Sequence, residues 1–337
     1  MRVVVIGAGV VGAAVAAGLT RRGAQVTVLE ARTPGAGTSS TSVAWVNANN
    51  KTPRAYFDLN QAAVWAHHQL AGDHFFPTGN LECAATDEHR ELLEARVTRL
   101  IGMGYPVERV TARRALALEP DLVPPPPGTE YVFFPGEAYV HPLRLLGRLL
   151  GEARDGGATL ECGAEVSAIE ASASGAKVTV ADGRTFAGDA VVTCAGRWTQ
   201  HVAALAGLTV PMLDPAVSGT VTNGFLVTTS PVPARLSRVL TTAGLNLRPD
   251  GEGGCCCSPC PWTGWPIPPR RCPRRSWPRS WRCCPACCGP PRGPRPSGPW
   301  WGSGRCPATG SPWRGSPIPG GGCTRWPRTA GSRWRRC

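Results

Sequence analysis

The spacing of apolar positions changes along this chain, and each change marks an element. Arg2-Val-Val-Val-Ile6 is an unbroken β-branched run, the pattern of a strand covered on both faces of a parallel sheet. Small and apolar residues follow at helical density. They end near Arg21-Arg22-Gly23, a cationic last turn with a glycine stop. Gln25-Val-Thr-Val-Leu-Glu30 reads as a second strand that ends in an acid. Helical runs are predicted over residues 58–72 and 87–102, with a proline-rich loop at 124–127. Strand patterns recur at 163–170 and 189–195, around a turn at Ala181-Asp-Gly183. Gly224-Phe-Leu-Val-Thr-Thr and Arg238-Val-Leu-Thr-Thr are short runs suited to an antiparallel sheet. No internal repeat organises the chain. The apolar stretch 3–19 is not read as a signal peptide. Glycines interrupt it regularly, an acid-terminated strand follows, and it has no cleavage site. No other stretch approaches membrane-spanning length.

At residue 252 the pattern stops. Residues 252–337 contain no Leu, Val, Met, Phe, Tyr, Asp, Asn, Gln, His or Lys. They hold 12 of the 15 cysteines, 9 of the 12 tryptophans, 18 prolines and 15 arginines. Ile267 and Ile318 cannot build a core among so many prolines, so a largely irregular tail is expected. The genetic code suggests the cause. If the true frame starts one nucleotide earlier, every Cys or Trp codon conceals Leu, Met or Val, and the missing aliphatics stand where these residues are. With GC-rich codons, residues 301–315 reread as VGLRPVPGDGLPVAG and residues 323–337 as LHAVATHSGVTLAPL. A frameshift near Gly253 is the reading adopted. The competing reading is a genuine tail, with Cys257-x-x-Cys260 and Cys284-x-x-Cys287 as halves of a zinc site, or Arg and Trp side chains on nucleic acid. CxxC pairs are expected at this cysteine density, and the proline runs offer no zinc-ribbon strands.

The break also redistributes the charge. The formal net charge is +13, but residues 1–251 carry 21 basic and 22 acidic side chains, so the excess lies in the tail. The basic balance therefore gives no reason to expect a nucleic-acid partner. Upstream of the tail only Cys83, Cys162 and Cys194 remain. They give no disulfide framework, which fits a cytoplasmic location.

The first strand runs straight into Gly7-Ala8-Gly9-Val10-Val11-Gly12. Gly7 permits a tight turn, Gly9 lets backbone approach a pyrophosphate, and Gly12 lets the helix lie on the strand. The helix N-terminus would face the phosphates. Glu30, 18 residues after Gly12, is placed for ribose hydroxyls. Strand, helix, second strand and acid stand in register, which makes this a dinucleotide fingerprint and leaves NAD and FAD open. Ala31-Arg32 and the loop Gly35-Ala-Gly-Thr38-Ser39-Ser40-Thr41-Ser42 come next, offering hydroxyls and N–H groups to phosphate or flavin.

These features, continued by Ala44-Trp45-Val46-Asn47, resemble the start of the FAD-dependent D-amino-acid oxidase/glycine oxidase superfamily. Gly163-Ala-Glu-Val166-Ser-Ala-Ile-Glu170 is similar to the family strand whose valine backbone meets the adenine. Asp189-Ala-Val-Val-Thr-Cys-Ala195-Gly196-Arg-Trp198 resembles its strand and Ala-Gly turn beside the cofactor. Gly136-Glu-Ala-Tyr-Val-His141-Pro142 looks like the family's approach to the preceding helix, and Leu205-Ala-Gly207-Leu-Thr-Val-Pro211 like its segment beyond the Ala-Gly turn. The reread RPVPGDGLPVAG and THSGVTLAP resemble its closing flavin-binding segment.

The resemblance implies FAD as cofactor. It implies an α/β fold, with a Rossmann-like three-layer domain from 1–45 and 144–212 and an interleaved α+β substrate domain from 46–143 and 213–251. It implies hydride removal from an amine carbon of a small amino acid or amine, with no metal. It implies Gly7, Ala8, Gly9, Val10, Val11, Gly12, Glu30, Ala31, Arg32, Thr38, Ser39, Val166, Ala195, Gly196 and Trp198 around the cofactor. It identifies no catalytic residue. Tyr56, His67, His68, Tyr139 and His141 are candidates by residue type only, and Arg54 and Arg197 read as solvated or phosphate-facing. An NAD(P)-dependent dehydrogenase is the alternative.

Overall fold

The computed structural model describes residues 1–123, 125–213, 224, 226–251, 253–259 and 281–283. The first third holds β1 (Arg2–Ile6), α1 (Val10–Thr20), β2 (Gln25–Glu30), β3 (Trp45–Val46), α2 (Arg54–Leu70), β4 (Phe75–Phe76), β5 (Asn80–Ala84) and α3 (Asp87–Gly102). Next come β6 (Glu108–Val110), α4 (Ala112–Leu118), β7 (Glu130–Phe134), β8 (Ala138–Val140), α5 (Pro142–Asp155) and β9 (Thr159–Cys162). A meander β10 (Val166–Ser172), β11 (Gly175–Val180) and β12 (Thr185–Gly188) precedes β13 (Ala190–Thr193) and α6 (Thr199–Ala204). The remaining strands are β14 (Val227–Thr229), β15 (Val239–Thr241), β16 (Leu245–Pro249), β17 (Cys255–Pro259) and β18 (Trp281–Cys283).

β1 sits inside a four-stranded parallel sheet of order β13-β1-β2-β9. Its unbroken apolar run is explained by cover on both faces. Val3 and Val5 pack with Ala16 and Ala17 of α1 and Ala153 of α5. Val4 and Ile6 face the other way, against Val166, Val178 and Val180 of the meander and Val202 of α6. Helices, parallel sheet and meander make three layers. A third apolar cluster joins α1, α2 and α5 to the small sheet β3-β8-β4, through Ala13, Val64, Leu145, Val46, Phe75 and Val140.

The largest sheet has order β18-β14-β17-β16-β15-β5-β7-β6. Leu93, Val97 and Leu100 of α3 cover one face of it, against Val132 and Phe134. The runs around 224–229 and 238–242 do enter this sheet, but it is not purely antiparallel: β15 pairs in parallel with β5. That pairing joins residues about 160 positions apart, so no local pattern could announce it. α3 has the predicted limits, whereas α2 begins at Arg54 rather than 58, because Phe57 is buried and anchors an earlier first turn.

Most of the tail expected to be irregular lies outside the described residues, as do Cys260, Cys284 and Cys287. At its start, Cys255–Pro259 is a strand paired with β16 and β14; Cys255 and Cys257 are buried in it as free thiols, and Cys256 is buried between them. Cysteine is small and apolar enough to occupy a strand interior, which the composition reading overlooked. Cys83 and Cys194 are also free. Among the described residues no helix is long and apolar enough to cross a membrane.

Candidate functional site

The chain leaves β1 through Gly7, at φ +105°, a conformation that side chains resist. A Cβ on Gly7 would stand 2.6 Å from the Cys194 carbonyl oxygen, and one on Gly12 would stand 1.9 Å from the Gly7 oxygen. Two bare positions thus let α1 start hard against β1 and the turn after β13. Gly9 caps α1 and has no side chain to satisfy its amides. The first of them, Val10 N–H, donates to Ser39 Oγ at 3.0 Å. Glu30 closes the turn from the end of β2. Its Oε2 accepts the Ala8 N–H and its Oε1 the Arg32 N–H, both at 2.9 Å. The acid is therefore fixed by backbone on two sides, with lone pairs to spare.

A cavity of about 1230 Å³ opens in front of this turn. It exceeds the roughly 300–1,000 Å³ of a drug-sized ligand pocket. Gly7, Gly9, Val10 and Val11 line it, with Glu30, Ala31, Arg32, Thr38 and Ser39 beside them. Val166, from the start of β10, and Ala195, Gly196 and Trp198, after β13, line the same cavity although more than 150 residues separate them from the glycines. Ala8 and Gly12 lie behind this surface, Ala8 fully buried and Gly12 under the first turn of α1. The guanidinium groups of Arg197 and Arg32 lie 4.3 and 5.5 Å from the Trp198 ring centre.

At its other end the cavity meets β3 and one face of α2. Trp45, Val46 and Asn47 line it, as do Asn60, Ala63, Val64 and His67. The α2 positions follow the 3.6-residue period. That stripe was visible in the sequence as small, apolar and polar residues at helical spacing, but its mixed polarity disguised it. Burial first, then the neighbouring His74 and His68, hold the His67 imidazole below its ordinary pKa. Of the candidates proposed by residue type, His67 reaches the cavity, and Arg197, read as solvated or phosphate-facing, also lines it. Tyr56 is largely exposed and Arg54 pairs with Asp58 on the surface. His68 bonds the Gly136 carbonyl, while Tyr139 stacks on Phe76 with His141 at its edge.

A sequence model of the family described as FAD dependent oxidoreductase (DAO) matches residues 2–318. Glycine oxidase of Geobacillus kaustophilus (strain HTA426) is 28% identical over 261 residues, which cover 73% of this chain and 66% of that protein. The chain thus spans just under two thirds of that curated relative. Among solved structures, glycine oxidase from Geobacillus kaustophilus has a TM-score of 0.66 at 26% identity, covering 76% of this chain and 70% of the other. Iminodiacetate oxidase from Chelativorans sp. BNC1 gives 0.64 at 23%, covering 81% and 75%. L-proline dehydrogenase from P. horikoshii gives 0.64 at 21%, covering 76% and 68%. These last two share the fold. The residues present fit FAD: a bare glycine turn on the cavity surface, a helix start that opens on it, and a fixed carboxylate for ribose hydroxyls.

Proposed function

Because the chain belongs to the FAD dependent oxidoreductase family, we propose that it oxidises an amino acid or amine at the C–N bond, with a D-amino acid or a glycine- or sarcosine-type amine as substrate. The observation that carries this reading is the single cavity running from the glycine turn to the wall formed by Trp45, Asn47 and His67. Bound FAD supplies the hydride acceptor, and the oxidised amine hydrolyses afterwards. The protein's part is placement. Gly7, Gly9 and the start of α1 would hold the pyrophosphate, and Glu30 the ribose. Thr38 and Ser39 would add hydroxyl and amide donors, Val166 would border the adenine, and Ala195, Gly196 and Trp198 would lie beside the cofactor. The amine would occupy the far end. In this reading residues 1–45 and 144–212 form the cofactor domain, and 46–143 with 213–251 the substrate domain.

We also propose that the codons beyond about 253 are read out of frame. Three consecutive buried cysteines in a sheet interior support this, since the earlier frame turns each TG-starting codon into Leu, Met or Val at a position that needs an aliphatic. The test is to express the full chain as written and a version restored to frame, then compare flavin absorbance, FAD titration and dye reduction by an amine panel. The restored chain should be yellow and reduce dye with a small amine. FAD binding without reduction by any amine would refute the amine reading. Stoichiometric flavin in the chain as written would refute the frame reading.

A further inference from the structure

A buried carboxyl group holds, from behind, the segment that walls the far end of the cavity. Glu137, just before β8, is wholly inaccessible. Its Oε2 accepts the Trp45 indole N–H at 2.8 Å and its Oε1 accepts the Tyr105 hydroxyl at 2.8 Å. The Tyr105 oxygen in turn accepts the Ala48 backbone N–H at 3.1 Å. One side chain thereby fixes the residues on both sides of Val46 and Asn47. β3 pairs with β8 over two residues only, so the ladder alone fixes neither the indole nor positions 47 and 48. Asn47 is nine-tenths buried, lines the cavity and donates its Nδ2 to the Trp45 carbonyl at 3.2 Å. Its Oδ1 is inaccessible and has no partner among the described residues. Burying a carboxyl group is costly even when its oxygens are bonded, and an apolar side chain would fill the same volume without that cost.

We propose that Glu137 is a positioning residue for the substrate: through Trp45 and Tyr105 it sets the wall at residues 45–48, against which the bound amine packs. The substrate part rests on the amine reading above. The groups facing Glu137 are Trp45 of β3, Tyr105 after α3, Glu82 of β5 and Arg96 of α3.

Hydrogen exchange on the full chain tests the tether without cofactor. In Glu137→Gln and in Tyr105→Phe, the Ala48 amide should exchange at least tenfold faster while the amides of β1 and β2 keep their rates. Unchanged exchange at Ala48 overturns the tether, and so does an equal rise throughout both sheets. Amine binding tests the role, with glycine and sarcosine as probes read by their perturbation of the flavin spectrum. Glu137→Gln and Asn47→Ala should each weaken the probes fivefold or more and change FAD affinity less than twofold. Equal loss of FAD and amine overturns the assignment to the substrate end. A wild-type chain that binds FAD but neither probe removes the amine reading and the substrate part with it, while the exchange data still decide the tether.

Discussion

At the scale of single residues, Gly12 and Glu137 show how differently two positions constrain the molecule. A methyl at Gly12 would meet the backbone oxygen of Gly7, which cannot swing away as a side chain can. Gly12→Ala should therefore cost about 1–3 kcal/mol, the usual range for overpacking, read as a lower urea midpoint, and should weaken FAD binding as the helix start shifts. Glu137 acts through protons. Burial lifts its carboxyl from 4.5 to about 8, against the pull of the Tyr105 and Trp45 hydrogen bonds. Between those values the folded chain keeps a proton that the unfolded chain has released. This contribution is thus fully present below 4.5 and is lost as pH rises towards about 8. His67 acts oppositely, since its lowered pKa costs stability as pH falls below its ordinary value. Comparing urea midpoints of wild type and Glu137→Gln from pH 5 to 8 isolates the first effect, and the variant should lose less stability as pH rises. Gly7, Gly9, Gly12 and Glu30 were legible because 24 residues contain the whole arrangement. The link from Trp45 to Glu137 spans 92 positions, and in sequence this glutamate looks like any surface acid.

At the scale of elements, local signals carried the helices and failed for sheet partners. α3 begins where Thr86 Oγ1 accepts the His89 N–H at 3.2 Å, with Asp87 and Glu88 in its first turn and Arg99 in its last. Thr86→Ala should cost about 1 kcal/mol, measured by thermal or urea denaturation. β17 was hidden for the opposite reason. Its Cys-Cys-Cys run carries little strand propensity, and pairing with β16 creates the strand. Burial pushes the thiols of Cys257 and Cys83 up to about 12. Both should resist iodoacetamide at pH 8 in the native chain and react after denaturation, as peptide mass spectrometry would show. Native alkylation of Cys257 would mean that β17 is not in the sheet.

At the scale of the whole molecule, charge divides the chain at residue 251. The +13 charge arises after residue 251, while the part before it is nearly neutral. Restoring the frame should move the protein to a lower isoelectric point and raise its flavin content together, measured by isoelectric focusing and the flavin-to-protein absorbance ratio. A gain in one without the other would separate the tail's charge from its role in holding FAD.

The parallel sheet has a consequence in time. Its first strand waits for its last, because Arg2 and Asp189 are 187 residues apart in synthesis. At about 5–20 residues per second, a ribosome takes roughly 10–40 s to deliver that partner. All four strands of this sheet have nevertheless been made before codon 253 is translated. This sheet can therefore pair before the later codons are read.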